Sequence, residues 1–449
     1  MQKLTFYSTN RQSPEVYFSQ ALFQGQAPDR GLYMPGTIPV FQSGELRTLV
    51  DGTYPEIASY VLWKYLEGVF SKNELDRHCA AAYPFDVPLE RIDGCTYVLR
   101  LDQGPTASFK DFAARLMARF MGALRPSTDR KLVVLTATSG DTGSAIAHAF
   151  FKVPGIDVVV LFPPDEVSTR QRKQMTTLGE NITALGIDGK FDDCQALVKQ
   201  AFSDPELDSI ELSSANSINI GRLLPQIVYY VYASIRLGLQ PLVFAIPSGN
   251  FGNTMGALLA KRMEVPIQKL LVATNANDEV PVYLSTATYR KIVPSRNCIS
   301  NAMNVGHPSN FARVVDFYGG WMDETGTIRR PPNLEAMRHD VWTDSIGDEE
   351  TRRAIRNVWQ KHRLMLEPHG AVGWAGLERY RKNTGYSGIA VLVETAHPAK
   401  FPEEIGRLLG LSPEVPESLS EVETKMENVI PLPADYGQFR QFLSRRFAR

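Results

Sequence analysis

From about residue 96 onward the chain alternates short, continuous apolar runs with longer stretches of helical periodicity, and no other feature narrows the possible folds as far. The runs are TYVLRL (96–101), KLVVLTA (131–137), DVVVLF (157–162), NITALGI (181–187), PLVFAIP (241–247), KLLVATN (269–275) and GIAVLVET (388–395). Most show no polar alternation, which suits strands buried on both faces of a parallel sheet. The segments TGSAIAHAFF, DDCQALVKQAF and GRLLPQIVYYVYASIRLG between them repeat apolar residues near period 3.6. This pattern predicts an α/β protein with open parallel sheets. Ligands of such sheets bind beyond the carboxyl ends of the strands, and several runs here end in loops rich in Gly and Ser.

The alternation also sets the expected organisation. Residues 1–95 read as a leading, mostly helical region, with a turn-rich loop at 27–36 and helical stripes at 53–70 and 73–83. Residues 96–130 with 236–410 form the expected large α/β domain, and 131–235 the small one. The acidic, proline-containing run SPEVPESLSEVETK (412–425) predicts that 411–449 is a surface linker and tail. A length of 449 residues accommodates these units. The formal net charge of −1 gives no general drive toward nucleic acid or an anionic membrane, so an anionic ligand needs a local site. Four scattered cysteines without a CxxC pair argue against zinc and disulfides and fit a reducing compartment. No apolar leader or spanning run is present, and a cytoplasmic protein is expected.

Four strand-end loops carry the chemistry. GPTASFKDFA (104–113) brings Lys110 to the point where a strand gives way to a helix. An amine there lies near the positive end of the helix dipole, which disfavours its protonated form, and such a lysine can form a Schiff base. A solvated surface lysine is the plainer reading. A P-loop is excluded, because Phe109 and Asp111 stand where Gly and Ser/Thr belong. TSGDTGSA (138–145) offers donors at Ser139, Gly140, Thr142 and Gly143 and suits a carboxylate. Its DTGS resembles an aspartic-protease signature, but it opens a helix and has no second copy; a simple helix cap is the other reading. PSGNFGN (247–253) forms a second nest through Gly249, Asn250, Phe251, Gly252 and Asn253, suited to a phosphate that stays in place. SSANSINIGRLLPQ (213–226) sets Asn216, Ser217, Asn219 and Arg222 together, which suits a second phosphate or, more plainly, a cap beside a solvated Arg. Thr395 ends the last run and could hydrogen-bond a ring nitrogen, whereas His369 and His397 read as structural.

Together these loops resemble the tryptophan-synthase-β group of pyridoxal-phosphate enzymes, fold type II. With FDDCQALVK (191–199), APDRGLYMPG (27–36) and TAHPAKF (395–401), the chain looks like the threonine synthase family, in its bacterial and fungal branch. Gly221 and Gly370 are the modest departures. The resemblance implies two open parallel-sheet domains with pyridoxal 5′-phosphate (PLP) in the cleft and Lys110 as its Schiff-base lysine. It implies that Gly249 to Asn253 bind the cofactor phosphate and that Thr395 faces the pyridine nitrogen. A neutral hydroxyl there would not enforce protonation of that nitrogen. Ser139, Gly140, Asp141 and Thr142 would receive the substrate carboxylate, with Asp141 also near the cofactor's 3′ oxygen. Asn216, Ser217, Asn219 and Arg222 would hold the substrate phosphate, helped by Thr106 and Ser108. The implied reaction turns O-phospho-L-homoserine and water into L-threonine and phosphate, in a monomer or homodimer without a metal. A phospho-lyase releasing 2-oxobutyrate and a serine/threonine dehydratase remain alternatives. A non-enzymatic binding module would not need Lys110.

Overall fold

The computed structural model describes residues 3–126 and 130–448. Residues 127–129, inside the expected segment 96–130, lie outside the described residues. All seven apolar runs are strands, and they divide between two sheets. In chain order the strands are β1 (Thr5–Ser8), β2 (Val16–Tyr17), β3 (Tyr33–Pro35), β4 (Leu89–Arg91), β5 (Thr96–Arg100), β6 (Leu132–Ala137), β7 (Ile156–Phe162) and β8 (Ile182–Asp188). They continue with β9 (Glu211–Ser214), β10 (Leu242–Pro247), β11 (Ile267–Thr274), β12 (Trp321–Met322), β13 (Ile328–Arg330), β14 (Val341–Ser345), β15 (Ala390–Glu394) and β16 (Val429–Pro433).

The larger sheet has the order β14-β11-β10-β15-β5-β4 and is parallel except where β4 closes its edge. The smaller sheet, β16-β8-β7-β6-β9, is parallel throughout. Every residue of β6, β10 and β15 is buried, as strands covered on both faces require. The carboxyl ends of β5, β10 and β15 in one sheet and of β6 and β9 in the other feed loops into one cleft.

Two expectations are corrected. The leading region is not chiefly helical at its start, because β1 pairs antiparallel with β2 and β3 ahead of the helices Tyr54–Leu66 and Lys72–Ala82. Strands of two to four residues are too short to declare a period. Nor is 411–449 a surface linker. Strand β16 pairs parallel with β8, and the following helix, Tyr436–Phe447, buries Phe439 and Leu443 against Leu185 and Cys194. Pro431 and Pro433 are tolerated because β16 is an edge strand. The acidic stretch itself is fastened: Leu419 is buried, Glu423 takes a bond from Arg170 at 2.7 Å, and just beyond it Glu427 takes two from Arg172 at 2.9 Å.

Candidate active site

Lys110 is the first residue of the helix Lys110–Leu124, reached from β5 by the Gly-Pro turn. Its side chain is 13% exposed, and its Nζ lies 3.4 Å from Oδ2 of Asp141. Burial lowers the pKa of this amine, and the charges of Lys400 and Arg222 lower it further against the opposing pull of Asp141. Desolvation and two cations therefore account for a poised amine more directly than the helix dipole does. Lys400 is fully buried, with Nζ 2.7 Å from Oδ1 of Asp141 and donating to the Thr106 carbonyl at 2.8 Å. Gln171 Nε2 donates to the same Oδ1 at 2.9 Å. Burial alone would raise the Asp141 carboxyl, but Lys400 and Lys110 outweigh it and hold it below the usual carboxylate range. Asp141 is thus a fixed anion beside Lys110. Neither Lys400 nor Gln171 was expected; Lys400 had a signal, lying five residues past Thr395 at the same strand end.

The loop after β6 is tied from within. Thr138 Oγ1 accepts from Gly140 N and Gly143 N at 2.9 and 2.8 Å, so those two donors are occupied. Ser139, Asp141 and Thr142 line the cavity, whereas Gly140 does not. Gly140 supplies the backbone instead, at a φ of 131° that side chains rarely adopt.

The loop after β10 presents Gly249, Asn250, Phe251, Gly252 and Asn253 to the same cavity and opens the helix Gly252–Arg262. Tyr229 and Tyr230 both donate to Asn253 Oδ1, at 2.5 and 2.6 Å. The amide is thereby oriented, and Asn253 Nδ2 is a buried donor left without a partner. A Cβ at Gly252 would meet neighbours only at 3.4 Å or beyond, whereas one at Gly249 would press on the Met303 backbone at 2.8 Å. A space bounded by an orphaned amide donor and a helix start fits a phosphate.

The third loop follows β9. Arg222 and Asn216 line the cavity, and Arg222 Nε and Asn216 Oδ1 are buried without partners. Arg222 keeps one bond, from Nη1 to the Ala215 carbonyl at 2.7 Å, and burial brings its pKa down to about 10. Ser217 also lines the cavity and accepts from Asn310 Nδ2 at 3.2 Å. Asn219 does not face the cavity. Its amide donates to the Leu22 and Ser214 carbonyls and its Oδ1 caps Gly221 N, so all its polar capacity serves the loop. Thr106 is likewise spent on Asp111, and Ser108 lies outside the cavity lining. Behind Ser217 stands Arg313, fully buried and bonded only to neutral oxygens of Tyr33, Ser217, Ile218 and Asn310. Burial brings it down to about 9. It adds positive potential to this wall of the cleft, and nothing in its surrounding sequence announced it.

Thr395, just past β15, completes the lining together with His369. His369 Nδ1 bonds Glu367 at 2.5 Å and its Nε2 accepts from Ala302 N at 3.1 Å, so it braces two segments. His397 caps Ala399 N and stays structural. The two departures noted in the sequence have steric reasons. A Cβ at Gly221 would strike Leu22 at 2.4 Å, and one at Gly370 would strike Glu394 Oε2 at 1.7 Å.

One cavity therefore joins a poised lysine, two separate sets of unpaired buried polar groups and a strand-end hydroxyl. Residues 85–395 match the family model of pyridoxal-phosphate dependent enzymes, 5–83 that of the threonine synthase N terminus, and 370–443 that of the threonine synthase C-terminal region. The chain belongs to the threonine synthase family. It is 38% identical to the threonine synthase of Haemophilus influenzae, over 98% of this chain and 99% of that one. The crystal structure of threonine synthase from Escherichia coli superposes with a TM-score of 0.89 at 34% identity, covering 98% and 99% of the two chains. The PLP-bound threonine synthase of Brucella melitensis gives a TM-score of 0.91 at 33% identity over the whole of both. Membership of the threonine synthase family makes this chain a PLP-dependent enzyme of fold type II. Among the described residues no helix is long and apolar enough to cross a membrane.

Proposed function

We propose that the enzyme converts O-phospho-L-homoserine and water into L-threonine and phosphate in the cytoplasm. One observation carries the substrate: Arg222 Nε is a buried cationic donor left unpaired on a wall of the cavity distinct from the Gly249–Asn253 nest. One nest suffices for a cofactor phosphate; the second wall has its own cation and suits a second phosphate. Lys110 would hold PLP, with Gly249, Asn250, Phe251, Gly252 and Asn253 around its phosphate. When bound, PLP supplies an electron sink in conjugation with the substrate's α carbon. Lys110 Nζ, with its pKa lowered, is suited to take the α proton once the substrate amine has displaced it. Ser139 and Thr142 would orient the substrate carboxylate, and Asp141, held ionised by Lys400, would fix the position of Lys110. Arg222 and Arg313 would draw the phosphate group to one end of the substrate and stabilise it as it leaves.

Arg222→Ala is expected to cost about 2–4 kcal/mol of kcat/KM for O-phospho-L-homoserine, as truncation of a desolvated charge partner does. Binding of unphosphorylated homoserine, followed by the change in cofactor absorbance, should hardly move. Equal losses for both ligands would make Arg222 a scaffold residue and remove the basis for a phosphorylated substrate. A serine/threonine dehydratase has no use for this second wall.

A further inference from the structure

Arg313 is a buried cation to which the described residues offer no counter-ion. It lies on the helix Phe311–Phe317, and every oxygen it touches is neutral. Its Nε donates to the Tyr33 carbonyl at 3.1 Å and its Nη2 to the Ile218 carbonyl at 2.6 Å. Its Nη1 donates to the Ser217 carbonyl at 3.3 Å and to Asn310 Oδ1 at 2.5 Å. Burial lowers its pKa, and no neighbouring charge acts on it in either direction. A guanidinium isolated in this way is costly to keep unless an anion comes near it.

The contact with Asn310 has a direction. A guanidinium holds only donors, so the amide must turn its Oδ1 to Arg313 and its Nδ2 away. Nδ2 donates to the Ser217 hydroxyl at 3.2 Å. Asn310 is fully buried, so this amide has no water to turn to instead. Ser217 accepts that bond, and among the described residues its own proton has no acceptor. Ser217 lines the cavity where the two phosphate-suited walls meet. It shares a loop with Asn216 and Arg222, and its Cβ lies 3.7 Å from where a Cβ at Gly252 would stand. Hydrogen bonds in series polarise one another, and this series starts at a cation.

We infer that Arg313 acts through Asn310 to aim the Ser217 hydroxyl at a phosphate bound in the cleft, so that Arg313 and Asn310 are positioning residues and Ser217 the donor that meets the ligand. The inference rests on the reading of this cleft as a site for phosphate groups. The ligand chemistry is that of a phosphate monoester dianion, and the loop shared with Arg222 points to the substrate's phosphate ahead of the cofactor's. The plainer role for Arg313 is that of a staple, joining the carbonyls of Tyr33, Ser217 and Ile218 to its own helix. A staple needs the bonds to those carbonyls; the relay needs the Asn310 amide as well.

Asn310→Asp separates the two roles. A carboxylate there has nearly the same shape and pairs with Arg313, so the staple stays closed. It has no N–H to give, it cancels the charge of Arg313, and it draws the Ser217 proton away from the cavity. Binding is measured by calorimetry on the PLP-loaded enzyme with the phosphonate isostere of O-phospho-L-homoserine, which cannot release phosphate, and with L-homoserine. Retention of PLP is followed in parallel by dialysis and absorbance. Asn310→Asp and Ser217→Ala should each weaken the phosphonate roughly 10- to 100-fold, the scale of a hydrogen bond to a charged group, and leave L-homoserine within about twofold. In the Ser217→Ala background Asn310→Asp should cost less than it does alone, because the link it breaks is already gone. The same loss seen in PLP retention, with the phosphonate unmoved, would assign the hydroxyl to the cofactor's phosphate. Either variant, folded and holding both PLP and the phosphonate as the wild type does, overturns the inference. Ser217→Ala removes a single oxygen from a half-buried side chain, so this arm stands even if Asn310→Asp does not fold. A wild type that holds the phosphonate no better than L-homoserine overturns the phosphorylated-substrate reading instead, and PLP retention in the two variants then decides the relay.

Discussion

Two lysines meet one aspartate in the cleft, and burial separates their roles. Lys110 is partly open to the cavity and has its pKa lowered, whereas Lys400 is closed off entirely and paired with Asp141 at 2.7 Å. Reduction of the loaded enzyme with borohydride should therefore fix the cofactor to Lys110, read by peptide mass, and Lys110→Ala should abolish turnover. Recovery of the label on Lys400 would reverse the assignment. Lys400→Met should cost on the order of 3–5 kcal/mol of stability, the usual cost of breaking a buried ion pair. It also carries a pH signature. The folded pKa of Asp141 lies below its unfolded value, so its contribution is present above that unfolded value and is lost as pH falls through the folded one. Without Lys400 the folded pKa rises, and the acid limb of kcat/KM should move toward neutral pH. A folded variant with an unmoved acid limb would show that Lys400 does not hold Asp141 ionised.

At the scale of elements, glycine positions separate scaffold from site. A Cβ at Gly252 meets only ordinary contacts, so the nest itself is tested by Gly252→Val, which should weaken retention of PLP in enzyme shown to be folded, as measured by dialysis and absorbance. Full retention with loss of substrate affinity alone would reassign the nest. Gly370→Ala should instead destabilise by about 1–3 kcal/mol in chemical denaturation, because Glu394 is buried and has little room to yield. The strand-end loops were legible in the sequence because strands buried on both faces write unbroken apolar runs, and their loops write Gly, Ser and Asn. The partners of those loops were not legible. Gln171, Glu367 and Arg313 sit in segments of unremarkable composition, and only the packing of distant chain brings them to Asp141, Thr395 and Ser217. Asn219 and Thr106 erred the other way: a polar residue beside a site looks the same in sequence whether it faces the ligand or fastens the loop. Edge strands β9 and β14 escaped notice because a half-covered edge carries too short or too polar a run.

For the whole molecule, the C-terminal segment matters as much as the two sheets. It leaves the large sheet after β15, crosses the helix Thr169–Thr176 through the Glu423 and Glu427 ion pairs, and ends as strand and helix on the small sheet. That helix also carries Gln171, so the strap and the site share an element. Phe439→Ala should cost about 3–5 kcal/mol of stability by opening the small-sheet core. In folded protein the substrate KM should stay close to wild type; a large rise in KM at unchanged stability would contradict this division. In the function we propose, a poised Lys110 and two anion-binding walls in one cleft serve a phosphate-releasing synthesis of threonine. Its most direct test is to incubate the PLP-loaded enzyme with O-phospho-L-homoserine and quantify all products. L-threonine and phosphate are expected in equal amounts; phosphate accompanied by 2-oxobutyrate instead of threonine, or no phosphate release at all, would contradict this function.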